Sequence, residues 1–201
     1  MKLYIKIDKI NYADIALMAQ GMLGKSFTNR TDAIAMAGYA ASRLSEGLIR
    51  DLFAEISDKR MSAILAAFAK EYKWKILSAG NELLVKNHLG VKIDDFDVTP
   101  ELEISVNVAE IDYPSIVERF LPMIKEKLMG MGGAVVLLRP VIQNASAHQI
   151  CGLLDTLLGS NKESFIIALV NQYSDKLVSA IEDAAGKKNI RLKIDELRAV
   201  G

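Results

Sequence analysis

One short stretch of the sequence has the pattern of a nucleotide-binding loop. Residues 19–26 read AQGMLGKS, and with alanine allowed at the first position they fit G-x-x-x-x-G-K-[ST]. In that motif, backbone amides at the start of a helix and a lysine bind the phosphates of a nucleotide. Here the stretch lies well inside a helix that is predicted to begin at Asn11, so Gly24 is predicted to end that helix. The context therefore does not favour a nucleotide site.

Three potential metal ligands occur close together in the second half of the chain. His148, Cys151 and Asp155 are spaced i, i+3 and i+7, so on a helix they would share one face. Imidazole, thiolate and carboxylate are all ligands that zinc accepts. No second cluster completes a ligand set, and a buried thiol beside a surface histidine explains the same residues. We therefore predict no metal site.

Residues for nucleophilic or acid–base catalysis are sparse. The chain contains two histidines, His88 and His148. Ser146 lies only two residues before His148, whereas a catalytic triad is usually assembled from distant parts of a sequence. The sequence therefore predicts no catalytic residue and no cofactor-binding residue, and it argues against an enzyme without excluding one.

Two lysine-rich stretches raise the question of nucleic-acid binding. They contain Lys187, Lys188, Arg191 and Lys193, and Lys70, Lys73 and Lys75 next to Tyr72 and Trp74. Basic residues beside aromatic rings can contact phosphates and stack on bases. However, 25 Lys and Arg residues are balanced by 25 Asp and Glu residues, and nucleic-acid-binding proteins usually carry a basic excess. We therefore predict a solvated surface, and nucleic acid is not a favoured partner.

The composition is typical of a folded protein in a reducing compartment. Of the 201 residues, 51% are hydrophobic and 25% are charged, which argues against disorder. The single cysteine, Cys151, excludes an internal disulfide. The longest weakly polar run, residues 129–138, is shorter than the roughly 20 residues that span a bilayer. We predict a cytoplasmic protein without a membrane span.

The two halves of the chain resemble each other at a constant offset of 101 residues. Pairing Met1 with Leu102 and continuing to Pro100 with Gly201 gives 17 identities in 100 pairs, against about 6 expected from ordinary residue usage. The middle segments, residues 26–60 and 127–161, align weakly. The sequence therefore predicts a tandem duplication, with a first unit at 1–100 and a homologous second unit at 101–201 packed together as one compact body.

Each unit is predicted to begin and end with a strand. The opening strands alternate apolar and polar residues around Ile5 and Val106, and short closing strands are expected at 91–93 and 192–194. Four helices are predicted between the strands of the first unit, including segments at 31–44 and 46–56. In the second unit Pro140 is expected to interrupt or kink any helix.

The resulting fold prediction is α+β and helix-rich. Each unit of about 100 residues has strands at its two ends, and a half-buried strand needs a pairing partner. We therefore predict one small sheet built from the four terminal strands, covered on its apolar face by helices. Tandem copies often take the place of a two-fold homodimer, so the units are expected to be related by a pseudo-two-fold axis. The sequence does not determine the strand order.

The functional hypothesis from sequence is a non-enzymatic cytoplasmic protein that acts in binding or assembly. Chemically reactive side chains are few and apolar ones are abundant. A protein partner, self-association or an apolar ligand would fit. Met18, Met22, Met36 and Met61 could form an adaptable apolar groove, although core packing is the more usual role of such residues. The alternative is a small-molecule binding protein or an enzyme with a site between the two units, because the middle segments have diverged unequally.

Overall fold

The computed structural model describes residues 1–17, 43–133 and 135–201. In this part of the chain, the strands are β1 (Lys2–Ile10), β2 (Val91–Val98), β3 (Glu103–Ile111) and β4 (Leu192–Val200). The helices are α1 (Glu46–Ala54), α2 (Asp58–Glu71), α3 (Lys73–Lys86), α4 (Tyr113–Met129), α5 (Val135–Asn144), α6 (Ala147–Leu158), α7 (Lys162–Gln172) and α8 (Ser174–Gly186). Residues 12–17 are also helical. The predicted α+β, helix-rich class is confirmed.

Several sequence predictions concern residues outside the described ranges. They are the phosphate-loop pattern at 19–26 with its helix end at Gly24, the helix over 31–44 apart from its last two residues, and the methionines Met18, Met22 and Met36. The fourth methionine, Met61, is buried.

The four strands form one antiparallel sheet in the order β2-β3-β1-β4, which confirms the predicted small sheet of terminal strands. The opening strands β1 and β3 lie side by side in the middle, with Tyr4 opposite Ser105. The closing strands β2 and β4 form the two edges. The strand order that the sequence left open is therefore symmetrical about the β1–β3 pair.

The closing strands are longer than predicted. The expected segments, 91–93 and 192–194, lie inside β2 and β4, but these strands continue to Val98 and Val200. The continuations are rich in acidic residues, which normally disfavour a strand. The continuations can still pair because β2 and β4 are the edge strands of the sheet. At an edge the charged side chains can reach solvent, and the apolar Phe96 in β2 or Leu197 in β4 lies between them.

In the part of the chain that the structure describes, the hydrophobic core consists mainly of residues from helices α4 to α7. Its most deeply buried side chains include Ile124, Leu128, Ile142 and Ile150. Ile124 and Leu128 lie one helical turn apart on α4, so both point towards the same neighbours. Ser146 begins α6 with a reciprocal capping arrangement, which satisfies two helix-end donors.

Pro140 does not interrupt the helix that contains it, which corrects one of the two predicted outcomes, an interruption or a kink. Helix α5 runs from Val135 to Asn144 with Pro140 inside it. Proline removes one backbone donor from a helix, but the buried side chains of Val135 and Ile142 hold both parts of α5 on the core. Tertiary packing therefore outweighs the local preference.

Among the described residues, no helix combines the length and the apolar character that crossing a lipid bilayer requires.

Candidate functional site

A buried carboxylate joins the beginning of the chain to its last strand. The side chain of Asp14, in the helical residues 12–17, is only 2% exposed. Its Oδ2 accepts hydrogen bonds from the backbone N and Nε of Arg191 at 3.1 and 2.8 Å, and its Oδ1 accepts from Nη2 of Arg191 at 3.2 Å. Arg50 Nη1 also donates to Oδ1, at 3.0 Å. Four donors therefore occupy the lone pairs of one carboxylate.

Three elements position these side chains. Asn11 Oδ1 accepts from the Asp14 backbone N at 3.0 Å and so begins the helix after β1. Arg191 directly precedes β4, and its carbonyl accepts from Asn11 N at 2.9 Å. Arg50 lies on α1, where Glu46, one turn earlier, binds its Nη2 at 2.7 Å. The cluster therefore depends on the β1–β4 pairing and on the docking of α1.

The two arginines keep Asp14 ionised. Hydrogen bonds from the Arg191 side chain are the main cause that lowers the pKa of Asp14 to about 2, against an opposing effect of burial. The unfolded value is 3.8, so the carboxylate stabilises the fold fully above about pH 4 and progressively less as the pH falls towards 2.

We expect this ion cluster to contribute roughly 2 kcal/mol to stability at neutral pH. Asp14→Asn should lower the free energy of unfolding by about that amount at pH 7, and the difference from the wild-type protein should shrink towards zero near pH 2. Urea unfolding of Asp14→Asn and of the wild-type protein at several pH values measures this difference. Asp8→Asn, at an exposed site on β1, is the control and should show no such trend. A difference between Asp14→Asn and wild type that is constant with pH would contradict the assignment.

A cavity of about 840 Å³ lies beside the cluster. Its lining residues are Asp14, Leu17, Glu46, Arg50, Gly186, Lys188, Asn189, Ile190 and Arg191. They come from two segments that are far apart in sequence, one before residue 51 and one after residue 185. Among the described lining residues, three side chains are cationic and two are anionic.

A second candidate surface is apolar. We call it the α2–α3 apolar surface, and it consists of Ile64, Phe68, Tyr72 and Trp74. Phe68 is 50% exposed, and Ile64 and Trp74 are more exposed still. The rings of Phe68 and Tyr72 are 4.5 Å apart. Lys75 Nζ lies over both Tyr72 and Trp74, at 5.3 and 5.4 Å from their ring centroids, so the surface is continuous.

The positions 101 residues later have a different environment. Phe165, Leu169 and Tyr173 correspond to Ile64, Phe68 and Tyr72, and all three belong to the buried core. Leu169 is only 6% exposed. The same core cluster contains Ile124 and Leu128 of α4. In the part of the chain that the structure describes, a row of apolar residues is therefore buried on α7 and partly exposed on α2.

The potential metal ligands lie on one helix but have separate roles. His148 and Asp155 are exposed on α6, and Asp155 forms an ion pair with Lys162. Cys151 is half-buried, and this burial raises the pKa of its thiol. Within residues 1–17, 43–133 and 135–201, no three His, Cys, Asp or Glu side chains are grouped so that they could bind a metal ion.

The lysine-rich stretches are divided among several partners. Lys73 pairs with Asp95, and Lys193 pairs with Glu182 at 3.2 Å. Lys188 and Arg191 line the cavity instead. Sequence reasoning noted Arg191 only as part of a basic run and missed its bonds to Asp14, because these residues are 177 positions apart and no local pattern connects them.

Comparisons with known proteins add no assignment. The chain matches no protein-family model, no curated protein and no solved structure. Its function is therefore argued from the cavity and from the α2–α3 apolar surface.

Proposed function

We propose that this chain is a non-enzymatic binding protein that holds an amphipathic helix of a partner protein on the α2–α3 apolar surface. The observation that carries the proposal is the half-exposed Phe68, in a row whose counterpart on α7 is buried. Contiguous apolar surface of this kind marks an interaction site more often than a solvated face.

The covered row on α7 indicates what kind of occupant fits. There, α4 contributes Ile124 and Leu128, one helical turn apart, to the cluster that buries Leu169. Apolar anchors at i and i+4 are the pattern by which a helix binds in a groove. A partner helix with two such anchors would fit on Ile64 and Phe68.

The charge beside the surface favours an acidic flank on the partner. Lys75 lies between Tyr72 and Trp74, and among the described residues it forms no ion pair. Cation–π contacts hold this ammonium group at the rim. A carboxylate next to the apolar anchors of the partner helix would meet it there.

We also propose that the chain arose by tandem duplication of a unit of about 100 residues, with a pseudo-two-fold axis between β1 and β3. The strand register supports this. Tyr4 and Ser105, which correspond at the offset of 101, lie opposite each other. The register also shifts at equivalent positions in the two outer strand pairs. In the β1–β4 pair the shift lies at Ile7 opposite Ile194, and in the β2–β3 pair it lies at Ile93 opposite Val108.

The predicted cytoplasmic location remains part of the proposal, and the unpaired Cys151 supports it because free thiols persist in reducing compartments. A second candidate function, a small-molecule site between the two units, also has one observation in its favour. The cavity beside Asp14 takes its lining from both units.

Binding of a helical peptide tests the proposed function. The probe is a synthetic peptide with the sequence of α4, residues 113–129, because α4 packs on the corresponding row. We expect saturable binding to the intact chain, and Phe68→Asp should weaken it at least tenfold because a buried, unpaired carboxylate is costly. Val85→Asp, at another exposed apolar site, is the matched control and should bind normally. Titration calorimetry measures both affinities.

The other possible occupants give different results. Trp74 is the sole tryptophan, so acrylamide quenching of its fluorescence reports whether the surface is open in the free chain. Full protection of Trp74 in the monomer would show that the chain covers this surface itself and would overturn the proposal. A dimer in solution that Phe68→Asp dissociates would assign the surface to a second copy instead.

A further inference from the structure

We propose that the cavity beside Asp14 binds a small dianion, either inorganic phosphate or the phosphate group of a small monoester. This inference is independent of the α2–α3 apolar surface, since the two sites share no residue. It gives the small-molecule alternative a defined ligand class.

Two guanidinium groups are already fixed at the cavity. Arg191 uses Nε and Nη2 on Asp14, which leaves the donors of Nη1, and its side chain is 68% exposed. Arg50 is anchored to the same carboxylate and is 40% exposed. A planar guanidinium matches phosphate oxygens, and groups held in place before binding lose little conformational entropy.

Lys188 supplies a third cation. It lines the cavity, and it forms no ion pair with any residue in the described part of the chain. The next residue, Asn189, has a φ of 58°, a left-handed conformation that asparagine tolerates better than most residues. The turn therefore brings the ammonium group of Lys188 to the same cavity as the two arginines.

The charge balance at the cavity favours an anion. Among the described residues of the lining, three cations face two carboxylates, and Asp14 is buried with its oxygens occupied by four donors. Glu46 is the remaining anion, and it binds Arg50. The described lining therefore carries a net charge of +1, so an anion that contacts Lys188 and the free edge of Arg191 meets a positive potential.

The corresponding positions in the other half of the chain lack this chemistry. Arg50, Lys188 and Arg191 correspond to Cys151, Asn87 and Gly90 at the offset of 101. A structural ion pair needs only Asp14 and one arginine, so it does not explain Lys188. A ligand site present at one of the two equivalent places explains all three cations.

The probe for this site is inorganic phosphate, titrated at constant ionic strength and followed by the backbone amide NMR shifts of Lys188 and Asn189. We expect saturable binding, weakened about three- to tenfold in Lys188→Ala, which is the usual value of one charge-assisted contact near a surface. Lys187→Ala removes a neighbouring charge that does not line the cavity and should leave the affinity unchanged. Neither lysine forms an ion pair among the described residues, so both variants are expected to fold.

Glu46→Gln distinguishes a ligand site from a structural cluster. Glutamine removes the negative charge that competes with phosphate for Nε and Nη2 of Arg50, so phosphate affinity should increase several-fold, whereas a purely structural cluster predicts no gain. Equal weakening in Lys187→Ala and Lys188→Ala would show only diffuse attraction and would overturn the proposal, as would the absence of saturable binding. Succinate serves as a dicarboxylate comparison, and tighter binding of succinate than of phosphate would reject the ligand class.

Discussion

Leu169→Ala is expected to lower the free energy of unfolding by about 2–5 kcal/mol, the range found when a buried leucine is truncated. Leu169 is 6% exposed and lies in the main core cluster with Ile124 and Leu128. Those side chains belong to a different helix and cannot close completely around the missing atoms. The lost contacts and the remaining cavity therefore both add to the cost.

Phe68→Ala is the matched variant, because position 68 corresponds to position 169. Phe68 is 50% exposed, and its identified aromatic partner is Tyr72, at 4.5 Å. Truncation of Phe68 should lower the free energy of unfolding by at most about 1.5 kcal/mol. The reason is that it removes one aromatic contact and a side chain that is only half-buried. Urea unfolding of both variants measures the contrast.

Equal costs for Leu169→Ala and Phe68→Ala would contradict the proposed binding surface. Such a result would mean that Phe68 is as well packed in solution as Leu169, and a packed row has no room for a partner helix. A large cost at Leu169 with a small cost at Phe68 is the result that an open row requires.

This contrast was not predictable from sequence. Positions 64, 68 and 72 hold apolar or aromatic residues, as do positions 165, 169 and 173, so periodicity predicts the same buried face on α2 and α7. What differs is the set of neighbours that each helix meets. Residue type determines which face prefers burial, and tertiary contacts decide whether that face is covered.

The sheet was the most predictable part of the fold. Alternation around Ile5 and Val106 located the opening strands, and half-buried strands at the ends of each unit had to pair. The strand order and the length of the edge strands were not predictable, because acidic residues in β2 and β4 conceal the alternation. Pairing partners, which a sequence pattern does not specify, determined both.

The candidate sites were less predictable than the sheet. The sequence predicted a helix start at Asn11 and placed Arg191 in a basic run, but it did not connect Asp14 with Arg191. Their hydrogen bonds follow from β1–β4 pairing, which brings together residues 177 positions apart. Neither residue type nor spacing marks such a pair when a chain is read as a single sequence.

Gly90→Ala is expected to lower the free energy of unfolding by about 2–5 kcal/mol. Gly90 has a φ of 60°, a left-handed conformation that costs an alanine about 1–2 kcal/mol. A Cβ at this position would also lie 2.7 Å from Cβ of Ser115 and 2.8 Å from the backbone oxygen of Asp112. Relief of this overlap requires a backbone shift, which typically costs a further 1–3 kcal/mol.

Gly133→Ala separates these two costs. Gly133 has a similar φ of 68°, but nothing lies within 4 Å of its hypothetical Cβ. Its replacement should therefore cost only the conformational part, about 1–2 kcal/mol. Chemical denaturation of both variants gives the comparison, and equal losses would show that the close approach of Gly90 to Ser115 and Asp112 carries no energy.

The position of Gly90 connects its packing with the proposed anion site. Gly90 corresponds to Arg191, and their carbonyl oxygens accept equivalent hydrogen bonds. The donor to Gly90 is Asp112 N, at 2.7 Å, and the donor to Arg191 is Asn11 N, at 2.9 Å. Beside Arg191 the neighbouring helix carries Asp14, and beside Gly90 it carries Ser115. Under the proposed duplication, one copy of this strand-to-helix junction carries the ion cluster of Asp14, and the other packs Gly90 directly against Ser115, while a cavity lies beside each copy. Gly90→Ala in combination with Ser115→Gly should therefore recover part of the lost stability, because the second change removes one of the two overlapping atoms.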